Sequence, residues 1–250
     1  MDLVEWPPKG KERHPWEKAR FRFFSRILQD AGLGRRPVSI LDVGSGDGWF
    51  SRELLKLLHP DTNITCWDIN YTIDHIEKFS SISDQRLQYI SNRPKEKFNL
   101  LILMDVLEHI EDDANFLSLI TSENILNGSF ILVSLPAWQS LYSNHDVHLN
   151  HLRRYEPTRC RELLEKHDLI IIRCGGLFHS LILPRILSKI VNILTTSDHK
   201  VKDLGNWRYG KILTTLIDKG LFWDNRTSLF FSKLKWDVPG LSWWALCKKQ

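Results

Sequence analysis

The sequence has little cysteine and no long apolar run. Among its 250 residues are four cysteines, Cys66, Cys160, Cys174 and Cys247, and no two of them form a CxxC pair. We therefore predict four reduced thiols in a reducing, cytoplasmic compartment and no zinc site. No stretch reaches the roughly 20 apolar residues that span a bilayer, and residues 1–8 lack the basic start and apolar run of a signal peptide.

Charge of one sign is not in large excess either. The 34 Lys and Arg residues against 30 Asp and Glu give a net charge of +4, and no block of five or six like charges occurs. Because nucleic-acid-binding domains carry a basic patch or stripe, we predict no nucleic-acid partner. The apolar fraction of 42% is ordinary for a globular chain that buries a sizeable core.

Short apolar runs alternate with helical patterns over the first 175 residues. Strands are predicted at residues 38–43, 62–67, 87–90, 98–104, 129–135, 169–174 and 241–247. Helices are predicted at residues 15–30, 49–58, 112–125 and 157–167. This order predicts an α/β fold, a Rossmann-like and mostly parallel seven-stranded sheet with helices on both faces, plus an α-helical insertion before the last strand.

Two segments depart from the alternation within the main domain at 37–250, which follows an N-terminal helical lead-in at 1–36. Residues 136–156 are polar and aromatic without a clean period, and we predict a lid loop over the substrate. Residues 180–238 are predicted to form a helical cap insertion. Within it, residues 181–194 are strongly apolar with a narrow polar stripe. This pattern suits a helix packed on the domain, or contact with a membrane surface or a lipid-like substrate.

A glycine-rich turn follows the first predicted strand. Gly44, Gly46 and Gly48 alternate with other residues, and Asp42 precedes them by two positions. Glycines let the backbone approach a ligand, and in open α/β sheets ligands bind at this carboxyl end of the strand. A dinucleotide fingerprint needs glycine where Trp49 stands, so a nicotinamide oxidoreductase is disfavoured. The Asp42 carboxylate suits a cationic amino-acid group better than phosphates.

Residues 40–48, which read I-L-D-V-G-S-G-D-G, resemble the cofactor turn of the class I S-adenosylmethionine-dependent methyltransferases. The fourth predicted strand and its exit, residues 98–110, end in D-V-L-E-H-I and resemble a second stretch of that family. The resemblance implies a methyltransferase that binds S-adenosylmethionine and releases S-adenosylhomocysteine.

The resemblance also implies a cofactor site that extends beyond the turn. Asp68, at the end of the second predicted strand, would accept the ribose hydroxyls, although an acid at a strand end is otherwise often a helix cap. Ile69 would pack on the adenine, and Asn92 would bind its amine where the family often has an acid. The predicted cofactor-binding residues are Asp42, Gly44, Ser45, Gly46, Gly48, Asp68, Ile69, Asn92, Met104, Asp105, His14, Trp16 and Arg20.

The last three of these residues lie in an N-terminal segment. His14, Trp16 and Arg20 hold the places of an H-x-W-x-x-x-R segment that opens many small-molecule members of the family. In those members the segment forms a helix that folds over the cofactor. An amphipathic lead-in helix without a ligand role is the alternative.

The lid loop resembles the pattern P-A-x-x-x-L-[WY]-S-x-H-D-x-x-x-x-H-x-R-R-Y of a bacterial-type branch, whose members often occur among cell-surface glycan and lipid genes. The predicted catalytic residues are His109, His145, Asp146 and His151. Asp146 with His145 or His151 would act as general base toward a hydroxyl acceptor, and His109 would line the site. Arg153, Arg154 and Tyr155 have the alternative role of anchoring the lid by hydrogen bonds.

Three histidines of the lid, His145, His148 and His151, are spaced by three residues. No carboxylate-rich or cysteine set accompanies them, so no metal site is predicted.

The predicted acceptor is a small molecule or a lipid- or glycan-linked group, with peripheral membrane contact through 181–194 left open. A nucleic-acid methyltransferase is a rival, but residues 105–108 depart from the [DNS]-P-P-[YFW] motif of DNA amino-methylating enzymes. A non-catalytic binding protein on the same fold is the other rival.

Overall fold

The structure, a computed structural model, describes residues 13–195 and 210–250. The predictions for residues 1–12 and for the middle of the 180–238 insertion therefore lie outside the described residues. Within the described ranges the chain forms a seven-stranded sheet covered by helices, so the predicted fold class is confirmed.

The sheet is parallel except for its last strand. The strands are β1 (Ser39–Val43), β2 (Asn63–Trp67), β3 (Leu87–Ile90), β4 (Phe98–Met104), β5 (Ile125–Pro136), β6 (Leu169–Leu177) and β7 (Ser242–Lys249). Their order in the sheet is β3-β2-β1-β4-β5-β7-β6. β7 pairs antiparallel with both β5 and β6. The carboxyl ends of the other six strands therefore share one edge, the edge at which open α/β sheets bind ligands.

Eight α-helices occur in the described residues. They are α1 (Pro15–Asp30), α2 (Trp49–Leu55), α3 (Ile73–Ser81), α4 (Asp113–Glu123), α5 (Asn144–His148), α6 (Pro157–Glu165), α7 (Ile182–Thr195) and α8 (Lys211–Lys233). None of them is long and apolar enough to cross a membrane.

The strand period of two divides the core between the two faces of the sheet. On β1, Ile40 packs on the face covered by α1, and the next residue, Leu41, packs on the opposite face. On β4, Ile102 and Leu101 divide in the same way. Burial on both faces explains why these strands read as continuous apolar runs and not as alternating ones.

The N-terminal helix begins and ends as the sequence predicts. Pro15 occupies its first turn, and the His14 side chain accepts a hydrogen bond from the Trp16 amide at 3.2 Å, which caps the helix. Phe23 and Phe24 lie on its buried face, where both pack edge-on against Trp244 of β7. This packing fixes α1 against the sheet.

Several predicted boundaries were wrong. β5 begins at Ile125 and not at 129, because residues 127–128 form an irregularity within the strand, with Gly128 at a φ of 77°. Helix α3 was missed. The predicted lid loop contains the short helix α5, which is capped by reciprocal hydrogen bonds between Ser143 and Asp146.

Two glycines allow β6 to pass close to the chain that enters β7. A Cβ on Gly176 would lie 2.2 Å from the carbonyl oxygen of Val238, and one on Gly240 would lie 2.2 Å from the Leu177 amide nitrogen. Both clashes involve backbone atoms, which a side-chain rotation cannot relieve.

We predict that Gly176→Ala lowers the free energy of unfolding by more than about 3 kcal/mol, since the backbones must separate. Gly220→Ala is the matched control, because Gly220 lies in α8 with no atom within 4 Å of a new Cβ. That control should raise stability by about 0.5–1 kcal/mol. Urea denaturation measures both variants, and a Gly176→Ala protein as stable as the parent would contradict the close approach.

Candidate functional site

A cavity of about 860 Å³ opens at the carboxyl ends of the parallel strands, a volume typical of small-molecule sites. Ten of the predicted site residues line it, namely His14, Trp16, Arg20, Gly44, Asp68, Ile69, Asp105, His109, His145 and His151. Seven others do not line it, namely Asp42, Ser45, Gly46, Gly48, Asn92, Met104 and Asp146. Among these seven, Asn92 is exposed to solvent and Met104 is part of the buried core.

The glycine turn has the conformation that only glycine adopts without strain. Gly44, Gly46 and Gly48 have φ values of 62°, 56° and 69°. A Cβ on Gly44 would lie 2.8 Å from a methyl carbon of Val106, and one on Gly48 would lie 2.6 Å from the Tyr89 ring. The turn therefore brings bare backbone to the floor of the cavity.

Hydrogen bonds from the second strand hold this turn in place. Asp68 accepts hydrogen bonds from the amides of Gly46, at 3.0 Å, and Asn70, at 2.9 Å. The Tyr71 hydroxyl lies 2.8 Å from the Ser45 hydroxyl and donates to the carbonyl oxygen of Gly46 at 2.5 Å. Ser45 and Gly46 are thus held by bonds from outside the cavity lining, and Asp68 both holds the turn and lines the cavity.

Asp42 is buried beneath the turn. Its carboxylate accepts a hydrogen bond from Ser51 at 2.6 Å, and it is 2% exposed. Burial raises the pKa of Asp42 to about 6, because the charged form loses its hydration, although the Ser51 hydrogen bond partly opposes this shift.

An ion pair joins α1 to the end of β4. Arg20 donates to the Asp105 carboxylate, and its guanidinium lies 4.6 Å from the centre of the Trp16 ring. Burial alone would raise the pKa of Asp105, but the charge and hydrogen bond of Arg20 lower it below the ordinary value. Asp105 has a φ of 55°, an unusual conformation for a residue with a side chain.

A second ion pair fixes the chain just before α1 to the glycine turn. Arg13 binds Asp47 and Glu17, and its guanidinium lies 4.8 Å from the centre of the Trp49 ring. Sequence reasoning missed this pair, because nothing in the spacing of Arg13 and Asp47 links them. The N-terminal segment therefore covers the cavity from one side.

Histidines from the turn after β4 and from the lid also line the cavity. The His109 and His151 rings pack edge-to-face with their centres 4.8 Å apart. His145 also lines the cavity. Burial and the charge of Arg185 lower the pKa of His145 to about 4, so its ring is neutral near pH 7.

Asp146 hydrogen-bonds to His151 and lies outside the cavity lining. It therefore does not occupy a position from which it could contact a substrate directly. It is fully buried and accepts from His151 at 3.1 Å and from Arg154 at 2.8 Å. Arg185 of α7 and the Ser143 amide donate to its second oxygen at 2.7 and 2.9 Å. Burial opposes ionisation, but these donors together lower the pKa of Asp146 well below its usual range.

Three lid residues, Arg153, Arg154 and Tyr155, form hydrogen bonds and ion pairs that anchor the lid, which is the alternative role predicted for them. The Tyr155 hydroxyl donates to the Asp113 carboxylate at 2.7 Å and lies 3.0 Å from the Leu107 carbonyl oxygen. Arg153 pairs with Asp113 at 3.1 Å. Arg154 anchors the lid through the Ala137 carbonyl at 3.2 Å and also lines the cavity.

Several cavity residues escaped the sequence reasoning. Among them are Trp67, His75, Phe116, Leu149, Phe178, Leu181 and Arg185. The polar stripe of residues 181–194 was a usable signal for Arg185, but the sequence does not say which way that stripe faces.

The residues on the turn side fit S-adenosylmethionine. A Cβ at position 44 would fill the close approach between the turn and Val106, so this floor is open only because the residue is glycine. Two carboxylates, Asp68 and Asp105, face the cavity, where they suit ribose hydroxyls and a cationic amino-acid group.

A family model described as a methyltransferase domain matches residues 16–170. The ubiquinone biosynthesis O-methyltransferase of Paramagnetospirillum magneticum is 31% identical over 143 residues. That alignment covers 52% of this chain and 57% of the relative, so the chain spans little more than half of the relative's length.

Solved structures share the fold. A SAM-dependent methyltransferase from Archaeoglobus fulgidus superposes with a TM-score of 0.52 at 18% identity, covering 93% of this chain and 97% of that one. The Haemonchus contortus phosphoethanolamine N-methyltransferase 2, in complex with S-adenosyl-L-methionine, gives a TM-score of 0.55 at 15% identity. It covers 91% of this chain and 52% of that one.

Stability should depend on pH through Asp42. Its pKa is raised in the folded protein, so ionisation costs more in the folded than in the unfolded chain, and stability falls as pH rises from about 4 through 6. We predict that Asp42→Asn removes this loss and is more stable than the parent at pH 7 by on the order of 1–3 kcal/mol, with little difference near pH 4.

Urea denaturation of the ligand-free protein at pH 4, 5, 6 and 7 measures this difference in the free energy of unfolding. Asp61→Asn is the control, because the Asp61 side chain is 79% exposed. Parallel pH profiles for the parent and both variants would show that Asp42 carries no such cost.

Proposed function

The chain belongs to the class I S-adenosylmethionine-dependent methyltransferases, and from this premise we propose that it methylates a hydroxyl group of a small, partly apolar acceptor. One observation carries the proposal: Gly44 of the glycine turn lines the same cavity as the His109 and His151 rings, which pack edge-to-face with their centres 4.8 Å apart. Cofactor and acceptor would thus face each other within one enclosure.

When bound, S-adenosylmethionine supplies a methyl group already activated by its sulfonium. The acceptor hydroxyl would lose its proton to solvent with the assistance of His151, its oxygen would form the new bond to the methyl carbon, and the carbon–sulfur bond would break with its electrons kept on sulfur. S-adenosylhomocysteine and the methyl ether leave. Alignment of the two groups supplies much of the acceleration in such a transfer.

The turn side of the cavity would hold the cofactor. Gly44 gives it close approach to the backbone, and Asp68 accepts hydrogen bonds from the ribose. Asp105, kept ionised by Arg20, faces the cationic part of the ligand. The lead-in helix α1, through His14 and Trp16, closes this side against water.

The histidine side would hold the acceptor. His151 takes part in removing the hydroxyl proton, and His109 lies beside it. Asp146 is a positioning residue in this account, because its carboxylate, whose two oxygens both accept hydrogen bonds, holds the His151 ring and does not reach the cavity.

The lining supports an aromatic hydroxyl. Trp16, Phe116 and Phe178 line the cavity together with Leu149 and Leu181, so an apolar ring finds contacts throughout. The curated relatives are named as O-methyltransferases, which supports oxygen as the acceptor atom. An apolar enclosure also favours a small molecule over a nucleic acid.

Helix α7 supports an acceptor with a lipid tail. Its residues Leu183, Ile186, Leu187, Ile190 and Val191 recur at spacings of three and one and are all exposed. They form one stripe along the helix, here called the apolar stripe.

The cationic residues of α7 point the other way. Arg185 donates to Asp146, and Lys189 donates to the Ser140 carbonyl at 2.6 Å, so both bind the lid. The helix is thus amphipathic with its apolar side outward. Arg185 and Leu181 also line the cavity, so a lipid layer under the apolar stripe would lie next to the cavity mouth. We therefore assign the stripe to a membrane surface, from which a lipid-linked acceptor would enter.

The acceptor-side residues are tested by substitution. We predict that His151→Ala lowers turnover about 100-fold or more and that Asp146→Asn lowers it about 10- to 100-fold, while S-adenosylhomocysteine still binds. S-adenosylhomocysteine release with a panel of phenols and catechols measures turnover, mass spectrometry identifies the methyl ether, and calorimetry measures cofactor binding.

His148→Ala is the matched control, because His148 lies exposed on α5 and outside the cavity lining. It should keep full activity. Cofactor binding without turnover on any hydroxyl compound would favour the non-catalytic binding protein, and full turnover by His151→Ala would exclude the proposed acceptor face.

The membrane assignment is tested by cosedimentation with vesicles of phosphatidylcholine and phosphatidylglycerol. We predict that the parent sediments with the vesicles and that the double variant Leu187→Glu, Ile190→Glu does not, since two charges would enter the lipid. Leu57→Glu, at an exposed leucine after α2, should behave as the parent. A parent that stays in the supernatant would contradict the assignment.

A further inference from the structure

Three potential metal ligands converge at the acceptor end of the cavity. One ligand atom each from Glu108, His109 and His151 lie within 4.8 Å of one another. Glu108 and His109 belong to the helical turn Leu107–His109 after β4, and His151 comes from the lid. A backbone hydrogen bond of 2.8 Å from the Leu152 amide to the Glu108 carbonyl fixes the lid against this turn.

Glu108 is buried without a hydrogen-bond donor for its carboxylate. It is 0% exposed, and neither oxygen has a hydrogen-bond partner among the described residues. A carboxylate that is neither hydrated nor paired is costly, so a positive group or a proton belongs beside it.

The opposing nitrogen of His151 carries a lone pair. A carboxylate only accepts hydrogen bonds, so the His151 Nδ1 that contacts Asp146 must carry the proton. In the neutral ring Nε2 is therefore an acceptor, and it lies 4.0 Å from Glu108 Oε1. Two electron-rich atoms thus face each other across a gap in an enclosed site.

We propose that Glu108, His109 and His151 bind one divalent metal ion of the zinc class at this gap. Two imidazoles and one carboxylate are a ligand set found in catalytic zinc sites, which keep a further position open. His109 and His151 line the cavity, so the open position faces the acceptor. The Asp146–His151 contact is then the outer carboxylate that commonly orients a metal-bound histidine.

The separation of 4.0 Å favours a cation over a shared proton. A hydrogen bond between Glu108 and His151 would need about 2.6–3.2 Å between heavy atoms. Two ligands of one tetrahedral metal ion, with bonds of about 2.0–2.1 Å, lie roughly 3.5 Å apart. Small side-chain rotations close that difference, since the gap is already wider than a direct hydrogen bond.

The ion would lower the pKa of an acceptor hydroxyl beside it, as a Lewis acid does for water. This role rests on the proposed hydroxyl methylation, and in it His151 assists deprotonation as a ligand. The site itself does not rest on that function, because the ligands are set by the fold.

Metal binding is tested without activity. The purified chain is treated with a chelator, dialysed and titrated with zinc chloride by calorimetry, and the visible absorption of the cobalt-substituted protein is recorded. We predict one ion per chain. Glu108→Gln and His109→Ala should each weaken zinc binding at least about 10-fold and alter the cobalt spectrum. His148→Ala, the matched control, should bind as the parent does.

S-adenosylhomocysteine binding by each variant confirms that it is folded. Absence of stoichiometric binding to the parent, or binding unchanged in both Glu108→Gln and His109→Ala, would overturn the metal site and favour a proton shared by Glu108 and His151. Full turnover of the chelated protein would overturn the role of the ion in the reaction. Zinc binding as predicted, with no hydroxyl compound methylated, supports the site and fails only the proposed function.

Discussion

The acceptor side of the cavity depends on one buried carboxylate. Asp146 accepts hydrogen bonds from His151 and Arg154 of the lid and from Arg185 of α7. These donors come from segments that are distant in sequence, and without the carboxylate the buried Arg154 and the partly buried Arg185 would repel each other without compensation. The same contact fixes which His151 nitrogen carries a proton and therefore how that ring faces Glu108. A single charge thus links the position of the cap helix, the lid and the imidazole that the proposed chemistry uses.

A second ion pair holds the part of the cavity that suits the cofactor. Arg20 binds Asp105 at the end of β4, so the N-terminal helix is tied to the strand ends it covers. The two sets of contacts meet in the short segment after β4, where Asp105 pairs with α1 and Glu108 lies 4.0 Å from His151 of the lid. The segment 105–108 therefore connects the part of the cavity that suits the cofactor with the part that we assign to the acceptor. This arrangement explains why one strand end bears so much of the chemistry.

The sequence predicts elements whose signals are local. Helix α1 was placed correctly because Pro15 and a three-four apolar spacing mark it, and the glycine turn because its residues need positive φ. Contacts between distant segments have no such signal. Asp146 was expected to act directly, but the fold buries it behind His151. Likewise, the histidine spacing in the lid holds no signal for Glu108, which lies 4.0 Å from His151 only because the lid folds back onto the turn after β4.

The central claim is that cofactor and acceptor share one cavity, with the transferred methyl group directed at the His109 and His151 face. A crystal structure of the complex with S-adenosylhomocysteine tests it most directly. The account predicts ribose hydroxyls within hydrogen-bond distance of Asp68 and the sulfur atom directed toward His151. A ligand bound elsewhere, or one whose sulfur points away from the histidines, would contradict it.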